Sequence, residues 1–215
     1  MISSFMHHNE NNHLIIYNLG LSDDKWHNIQ QKFNHPSLSF KVFDYSKYPE
    51  WFNIQIEAGQ YAWKPTILYH TFLDHPDEKI VWMDAGNLIQ NLKELENFLD
   101  QHEVYSGTSD GTIEKWTFPD TIKYMNCTWT DRENRNAACL GFNCKTEKAK
   151  DIIKEFHDLA QIKECIAPEG SSRKNHRQDQ AVFSILFYKY NCFNFCNKDW
   201  KHHLGYSIHN DIDPH

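Results

Sequence analysis

The chain has no run of eighteen apolar residues, and the segment Met1 to Asn12 is polar and rich in His and Asn. A membrane-spanning helix and a secretory signal both need an apolar stretch, so neither is expected, and a cytoplasmic location follows. The six cysteines, Cys127, Cys139, Cys144, Cys165, Cys192 and Cys196, contain no CxxC pair. In a reducing compartment they are expected as buried thiols rather than as zinc ligands. The fourteen histidines show no His-x-His spacing. Only His202, His203 and His209 lie in a terminal segment able to fold back over a sheet edge, where one imidazole could complete a metal site. Positive charge is also in deficit. At a net charge of −7 the chain lacks the basic face that a general nucleic-acid binder needs. With no internal repeat and no Gly/Ser linker, residues 1–215 are expected to form one domain with a polar tail over 191–215.

Against these absences stands an aromatic-rich composition, with 7 Trp, 10 Tyr and 14 Phe in a chain that is 40% hydrophobic. Such a chain has the apolar payload for a packed core. Its patterning predicts a strand over 13–18, a helix over 23–33, a strand over 38–44, a helix over 64–75, a strand over 79–84, a helix over 91–101 and a strand over 103–106. That alternation is the order of an α/β fold, with a largely parallel central sheet flanked by helices on both faces. From Ser106 to Asn136 the pattern loosens into Thr, Asp, Asn and aromatics. The apolar run Ala137 to Phe142 then reads as a strand, and Ile152, Ile153, Phe156 and Leu159 make one face of a helix over 146–161. A last apolar helix is expected over 178–189, after a loop holding Pro168 and Gly170.

Chemistry-bearing residues gather at element ends. The strand Lys79 to Asp84 finishes on a carboxylate followed by Ala85 and Gly86, which leave room for a ligand beside Asp84. Asp84 reads equally well as a cap on the following turn. Lys64 stands between Trp63 and Pro65 at a helix start, where free N–H groups already favour an anion. It also reads as a surface lysine. The basic cluster Ser171 to Arg177, with His176 and Arg177, suits an anionic ligand or a solvated loop. Directly after it, Asp179 and Gln180 open the last helix, where Asp179 is either a site residue or an ordinary N-cap.

Taken together, IIYNLGLS (15–22), YAWKP (61–65), VWMDAGNL (81–88), AACLGF (137–142) and NHRQDQAVFSILFY (175–188) resemble the small GT-A-fold glycosyltransferases, a Rossmann-like class that includes viral domains of similar length. Closest are families that read YDLGLS, YAWKP, WMDSG and NHRYDQS at these places. The resemblance implies transfer of a sugar, a hexose, from a nucleoside diphosphate sugar such as a UDP-sugar to a glycan or protein-linked carbohydrate acceptor. It implies Lys64, Asp84, Ala85, Gly86, His176 and Arg177 on the donor, with Asp179 and Gln180 as the catalytic pair. It also implies Mn²⁺ or Mg²⁺ held by an Asp-x-Asp motif that begins at Asp84, helped by His209. Here Gly86 stands where the second carboxylate of that motif belongs, so metal binding is expected to be weak. The strand over 13–18 matches the second strand of these families. Ile2 to Phe5 therefore forms a shortened first strand, or that element is missing. The alternative to an enzyme is a sugar- or nucleotide-binding domain that has kept the fold without the activity.

Overall fold

The computed structural model describes residues 1–8, 11–193 and 204–208. Nine helices are formed by these residues, α1 (Ile2–His8), α2 (Asp23–Lys32), α3 (Trp63–Asp74), α4 (Leu92–His102), α5 (Ile113–Trp116), α6 (Pro119–Tyr124), α7 (Glu147–Ala160), α8 (Lys163–Ile166) and α9 (Gln178–Lys189). The strands are β1 (Leu14–Asn18), β2 (Leu38–Val42), β3 (Lys79–Met83), β4 (Leu88–Ile89), β5 (Val104–Thr112), β6 (Glu133–Asn143) and β7 (Tyr206–Ser207). From residue 13 to 102 the expected order of strands and helices is present to within two residues at each boundary.

The sheet itself departs from expectation. Among the described residues only β1 and β2 pair in parallel, with Leu14 opposite Leu38. A second sheet runs β3-β6-β5, and both of its pairings are antiparallel. A third, two-stranded sheet joins β4 to β7, also antiparallel. Alternating strands and helices predict parallel neighbours only if each connection crosses over to the far end. The segment between β5 and β6, which holds α5 and α6, instead returns the chain so that β6 runs against both β5 and β3. Nor do Ile2 to Phe5 form a strand. They lie in α1, whose Phe5 packs with Leu38 and Ile89.

The three-stranded sheet divides the core by the alternation of its side chains. Leu140 and Phe142 of β6, with Ile80 and Val104, face α3, α7 and α9. Cys139 and Tyr105 face the other way, against Leu95, Phe98 and Leu99 of α4. On α7, Thr146 caps the N-terminus by accepting a hydrogen bond from the Ala149 N–H, and Ala149, Ile152, Ile153, Phe156 and Ala160 form its buried face. Helix α9 is apolar nearly all round, and residues Gln178 to Phe187 are buried apart from Gln180. A helix of that composition belongs inside a protein, and its burial carries Asp179 into the interior. Cys127, Cys139, Cys144, Cys165 and Cys192 are buried and unpaired; Cys196 lies outside the described residues. Among the described residues no helix is long and apolar enough to cross a membrane.

Candidate functional site

Lys64 sits in the first turn of α3, where Pro65 loses nothing by lacking an N–H that the helix would leave free. The chain reaches it through an uncommon turn. Glu57, Ala58, Gly59, Gln60 and Tyr61 all have positive φ, between 47° and 59°. Each non-glycine residue in that region costs about 1 kcal/mol, so surrounding contacts must hold the segment. The Trp63 indole N–H donates to the Ala58 carbonyl at 3.0 Å, and the Ala62 N–H donates to the Gly59 carbonyl at 3.0 Å. A β-carbon on Gly59 would lie 2.1 Å from the Phe52 carbonyl oxygen. Only glycine fits there.

The turn and helix place Lys64 where the interior has little to offer a cation except carboxylates. Lys64 is 3% exposed and Asp179 is 4% exposed. The Lys64 Nζ lies 2.9 Å from Asp179 Oδ2 and 3.3 Å from Asp84 Oδ1, and it donates to the Ala137 carbonyl at 3.1 Å. Tyr61 and Trp82 present ring faces to the same ammonium, at 6.0 Å and 5.5 Å from the ring centres. Burial works against its charge, but Asp179 and Asp84 outweigh it and raise its pKa above that of an ordinary lysine. Burial likewise pushes the Asp179 carboxyl up, against the pull of Lys64. Two carboxylates that would repel one another are thus bridged by one buried cation.

Asp84 is the member of this group that meets solvent, its side chain being 40% exposed. The Trp82 indole donates to its Oδ1 at 2.6 Å, two residues back on the same face of the strand. Its N–H donates to the Ala138 carbonyl at 2.9 Å, and its carbonyl accepts from the Asn87 N–H at 3.0 Å. Ala85 and Gly86 are exposed beside it. Gln180 is half-buried one residue after Asp179, and its amide donates to the Ser109 hydroxyl at 3.4 Å. Lys64, Asp84, Asp179, Ala85 and Gly86 therefore converge, with Gln180 adjacent in sequence to Asp179.

The basic cluster does not converge as a unit. His176 is fully buried, with Nδ1 accepting from the Phe118 N–H at 3.2 Å and Nε2 against the Ile166 carbonyl at 2.8 Å. Burial pushes its pKa down to about 4, and both nitrogens are committed to backbone. The Arg177 guanidinium lies over the Trp116 ring at 4.2 Å. Arg173 instead comes to the site, with its guanidinium over the Tyr61 ring at 5.5 Å and donating to the Tyr61 hydroxyl.

No curated protein matches the chain. A family model described as a protein of unknown function, DUF1647, matches residues 1–69. Among solved structures, the apo structure of the WbbM bifunctional glycosyltransferase is similar, with a TM-score of 0.51 and 17% sequence identity over 87% of this chain and 34% of that one. The fold resembles that of a glycosyltransferase. The chain spans about a third of the length of that protein, and at this identity the likeness is one of fold alone.

A resident divalent ion fits the described residues poorly. A hard cation wants about six oxygens, of which a protein with a diphosphate ligand still supplies one or two carboxylates. Asp179 is tied to the buried Lys64, and Asp84 gives its Oδ1 to Lys64 and Trp82. Among the described residues no group of three His, Cys, Asp or Glu side chains could hold a metal. His209 lies outside the described residues.

Three features of the site carry little signal in the sequence. The aromatic walls given by Tyr61 and Trp82 stand inside motifs that were legible, but their stacking on Lys64 was not. Arg173 is one of several basic residues in its loop. The left-handed turn is marked only by Gly59, because its other members are residues that ordinarily avoid positive φ.

Proposed function

We propose that this chain is a glycosyltransferase that moves a hexose from a nucleoside diphosphate sugar, a UDP-sugar first among them, to a glycan or protein-linked carbohydrate acceptor. The observation that carries the reading is the buried Lys64 held between Asp84 and Asp179 at the end of β3, in a fold that resembles a glycosyltransferase. Donor chemistry is charge management, because the bond to the leaving diphosphate breaks with negative charge gathering on its oxygens. Lys64 at the floor and Arg173 at the rim bring positive charge to that place. Asp84 accepts hydrogen bonds from donor hydroxyls, and the exposed Ala85 and Gly86 let the donor come close.

Asp179 acts through Lys64, which it holds in place, rather than by touching the donor. Gln180 supplies the neutral amide beside the sugar, where it orients a ring hydroxyl without adding charge. In this reading no step runs through a resident metal. Mn²⁺ or Mg²⁺ would arrive with the diphosphate and share Asp84 with it. The test is calorimetric titration of the protein with UDP and a panel of UDP-sugars, each with and without Mn²⁺, followed by release of UDP on adding saccharide acceptors. Binding with acceptor-dependent release of UDP supports the reading. Binding with neither hydrolysis nor transfer leaves a nucleotide-sugar-binding domain, and the absence of binding by every nucleoside diphosphate tried refutes both.

A further inference from the structure

The turn that carries Asp84 is tied at its ends and bare in its middle. Ala85 and Gly86 are exposed, and a methyl group and a hydrogen give no anchor. Both ends rest on one carbonyl of β6, that of Ala138, which accepts from the Asp84 N–H at 2.9 Å and from the Asn87 side-chain amide at 2.8 Å. The chain then leaves through β4, a strand of only two residues. So short a strand has no stability of its own, and its neighbours decide where it lies.

One neighbour is α1, where Ser4 Oγ accepts from the Ile89 N–H at 3.1 Å and Phe5 packs on Ile89. The other is the segment 204–208, which holds β7. The Gly205 carbonyl accepts from the N–H groups of both Gln90 and Asn91 at 2.8 Å, and the Gln90 side-chain amide donates to the Ser207 hydroxyl at 3.1 Å. Gly205 has a φ of +73°, and a β-carbon on it would lie 1.6 Å from the Asn91 carbonyl oxygen, so this approach requires glycine. Leu204, Tyr206 and Ile208 alternate onto one face and pack in the cluster that holds Cys139, Val81 and Met83. Tyr206 is fully buried there, its hydroxyl 3.1 Å from that of Tyr105. Met83 immediately precedes Asp84, and its partner across the sheet is Cys139, which follows Ala138. The segment therefore grips the Asp84 turn from both sides, through Val81 and Met83 before it and through β4 after it.

We propose that residues 204–208 are a strap that sets the position of the Asp84 carboxylate, with Tyr206 as the positioning residue that seats the strap. Released from it, β4 keeps only α1, and the turn through Gly86 is free to swing. The Lys64–Asp179 pair should not follow. Its anchors, α3, α9 and the Ala137 carbonyl, belong to the face of the three-stranded sheet opposite Cys139 and Tyr206. Loosening the strap thus separates Asp84 from a buried ion pair that stays in place. That Asp84 meets a sugar donor rests on the function proposed above; that the strap sets its position does not.

The Trp82 indole N–H, 2.6 Å from Asp84 Oδ1, reports that position, and its proton resonance lies downfield while the bond is intact. It is followed by NMR in the isotope-labelled whole chain without a nucleotide. Gly205→Ala should detach the strap at Asn91. The amides of Gln90 and Asn91 should then exchange fast and the Trp82 indole proton should move upfield, while the amides of Leu140 and Phe142 in β6 stay protected. Ser207→Pro, which takes an N–H from the pairing with Leu88 and leaves the buried ring untouched, should do the same. Tyr206→Phe keeps the ring in its seat and should retain the parent signal. An unmoved Trp82 signal beside fast exchange at Gln90 and Asn91 would overturn the proposal, since α1 and β6 would then hold the turn unaided. So would slow exchange at Gln90 and Asn91 in both variants, or a Trp82 shift that comes in both with lost protection at Leu140 and Phe142. In a parent that turns over a UDP-sugar, Gly205→Ala should also lower kcat, by up to about 100-fold. A parent that binds no nucleoside diphosphate removes the donor-site reading, and the indole signal still decides whether the strap positions Asp84.

Discussion

Replacing Lys64 by Met keeps most of the side-chain length and removes the charge that separates two carboxylates. Asp179, at 4% exposure, is then a buried carboxylate whose 2.9 Å partner is gone. Breaking a buried pair from one side costs about 3–5 kcal/mol, and the orphaned Ala137 carbonyl adds on the order of 1 kcal/mol. Lys64→Met should therefore destabilise the protein by about 5 kcal/mol at pH 7.5. The deficit should depend on pH in a definite sense. Without Lys64 the folded state raises the Asp179 pKa further above its unfolded value, so the folded state binds the extra proton and stability falls as pH rises from about 4. The gap between the variant and the parent should be smaller at pH 4.5 than at 7.5. Removing the other partner as well, in Lys64→Met with Asp179→Leu, should return about 3 kcal/mol of the loss. Urea unfolding followed by tryptophan fluorescence measures all of this. A loss under about 1 kcal/mol for Lys64→Met, or simple additivity in the double variant, would refute the account of a buried ion group. The double variant then serves function. If it folds as well as the parent but neither binds nor turns over a donor, the ion group is there for chemistry rather than stability.

Other consequences are as direct. His176 is fully buried and its pKa is pushed down to about 4, so below pH 6.5 the unfolded state takes a proton that the folded state refuses; stability should fall by about 3 kcal/mol between pH 6.5 and 4. His176→Gln should flatten that limb in a series of urea midpoints. Gly59→Ala should cost roughly 3 kcal/mol or more, since φ is +59° and the added carbon would meet the Phe52 carbonyl at 2.1 Å. Gly170→Ala, at φ +82° with Phe118 at 3.4 Å, should cost only about 1 kcal/mol, so their difference in melting temperature isolates the contact with the backbone. Asp84→Asn should leave stability within about 1 kcal/mol, because the side chain is 40% exposed and the amide oxygen still accepts from Trp82 and Lys64, and lower donor turnover on the order of 100-fold; unchanged turnover would remove Asp84 from the proposed site.

Elements were legible in the sequence wherever local chemistry determines them. Helix α7 has a threonine cap and a stripe at Ile152, Ile153 and Phe156, and helix α3 has a proline in its first turn, so both were found to within a residue. Strand β5 extends to Thr112 through Ser-Gly-Thr-Ser-Asp-Gly, a composition that argues against a strand, because β6 supplies the pairing through a shifted register. The direction of β6 was not legible at all. Side-chain alternation is the same for a strand read either way, and direction came from the path of the chain through α5 and α6.

The site divides along the same line. Asp84 could be picked out because a strand end followed by small residues is a local pattern, and in the structure its side chain is 40% exposed at that strand end. Asp179 could be named but not placed. As the second residue of a helix it had a complete account as a local cap, yet α9 begins with Arg177 as its N-cap and Asp179 is drawn inside by the helix that follows. What makes Asp179 part of the buried ion group is a lysine 115 positions earlier in the chain, brought to 2.9 Å by the packing of α9 and α3 about β6. Pairing over such a distance leaves no mark on either neighbourhood. The surrounding apolar residues do leave one, since a carboxylate opening a helix as apolar as α9 must enter the core with a cation or enter it protonated. A basic residue at the start of another buried helix is the economical partner, and Lys64, preceded by Trp63 and followed by Pro65 and Thr66 on a buried turn, meets that requirement.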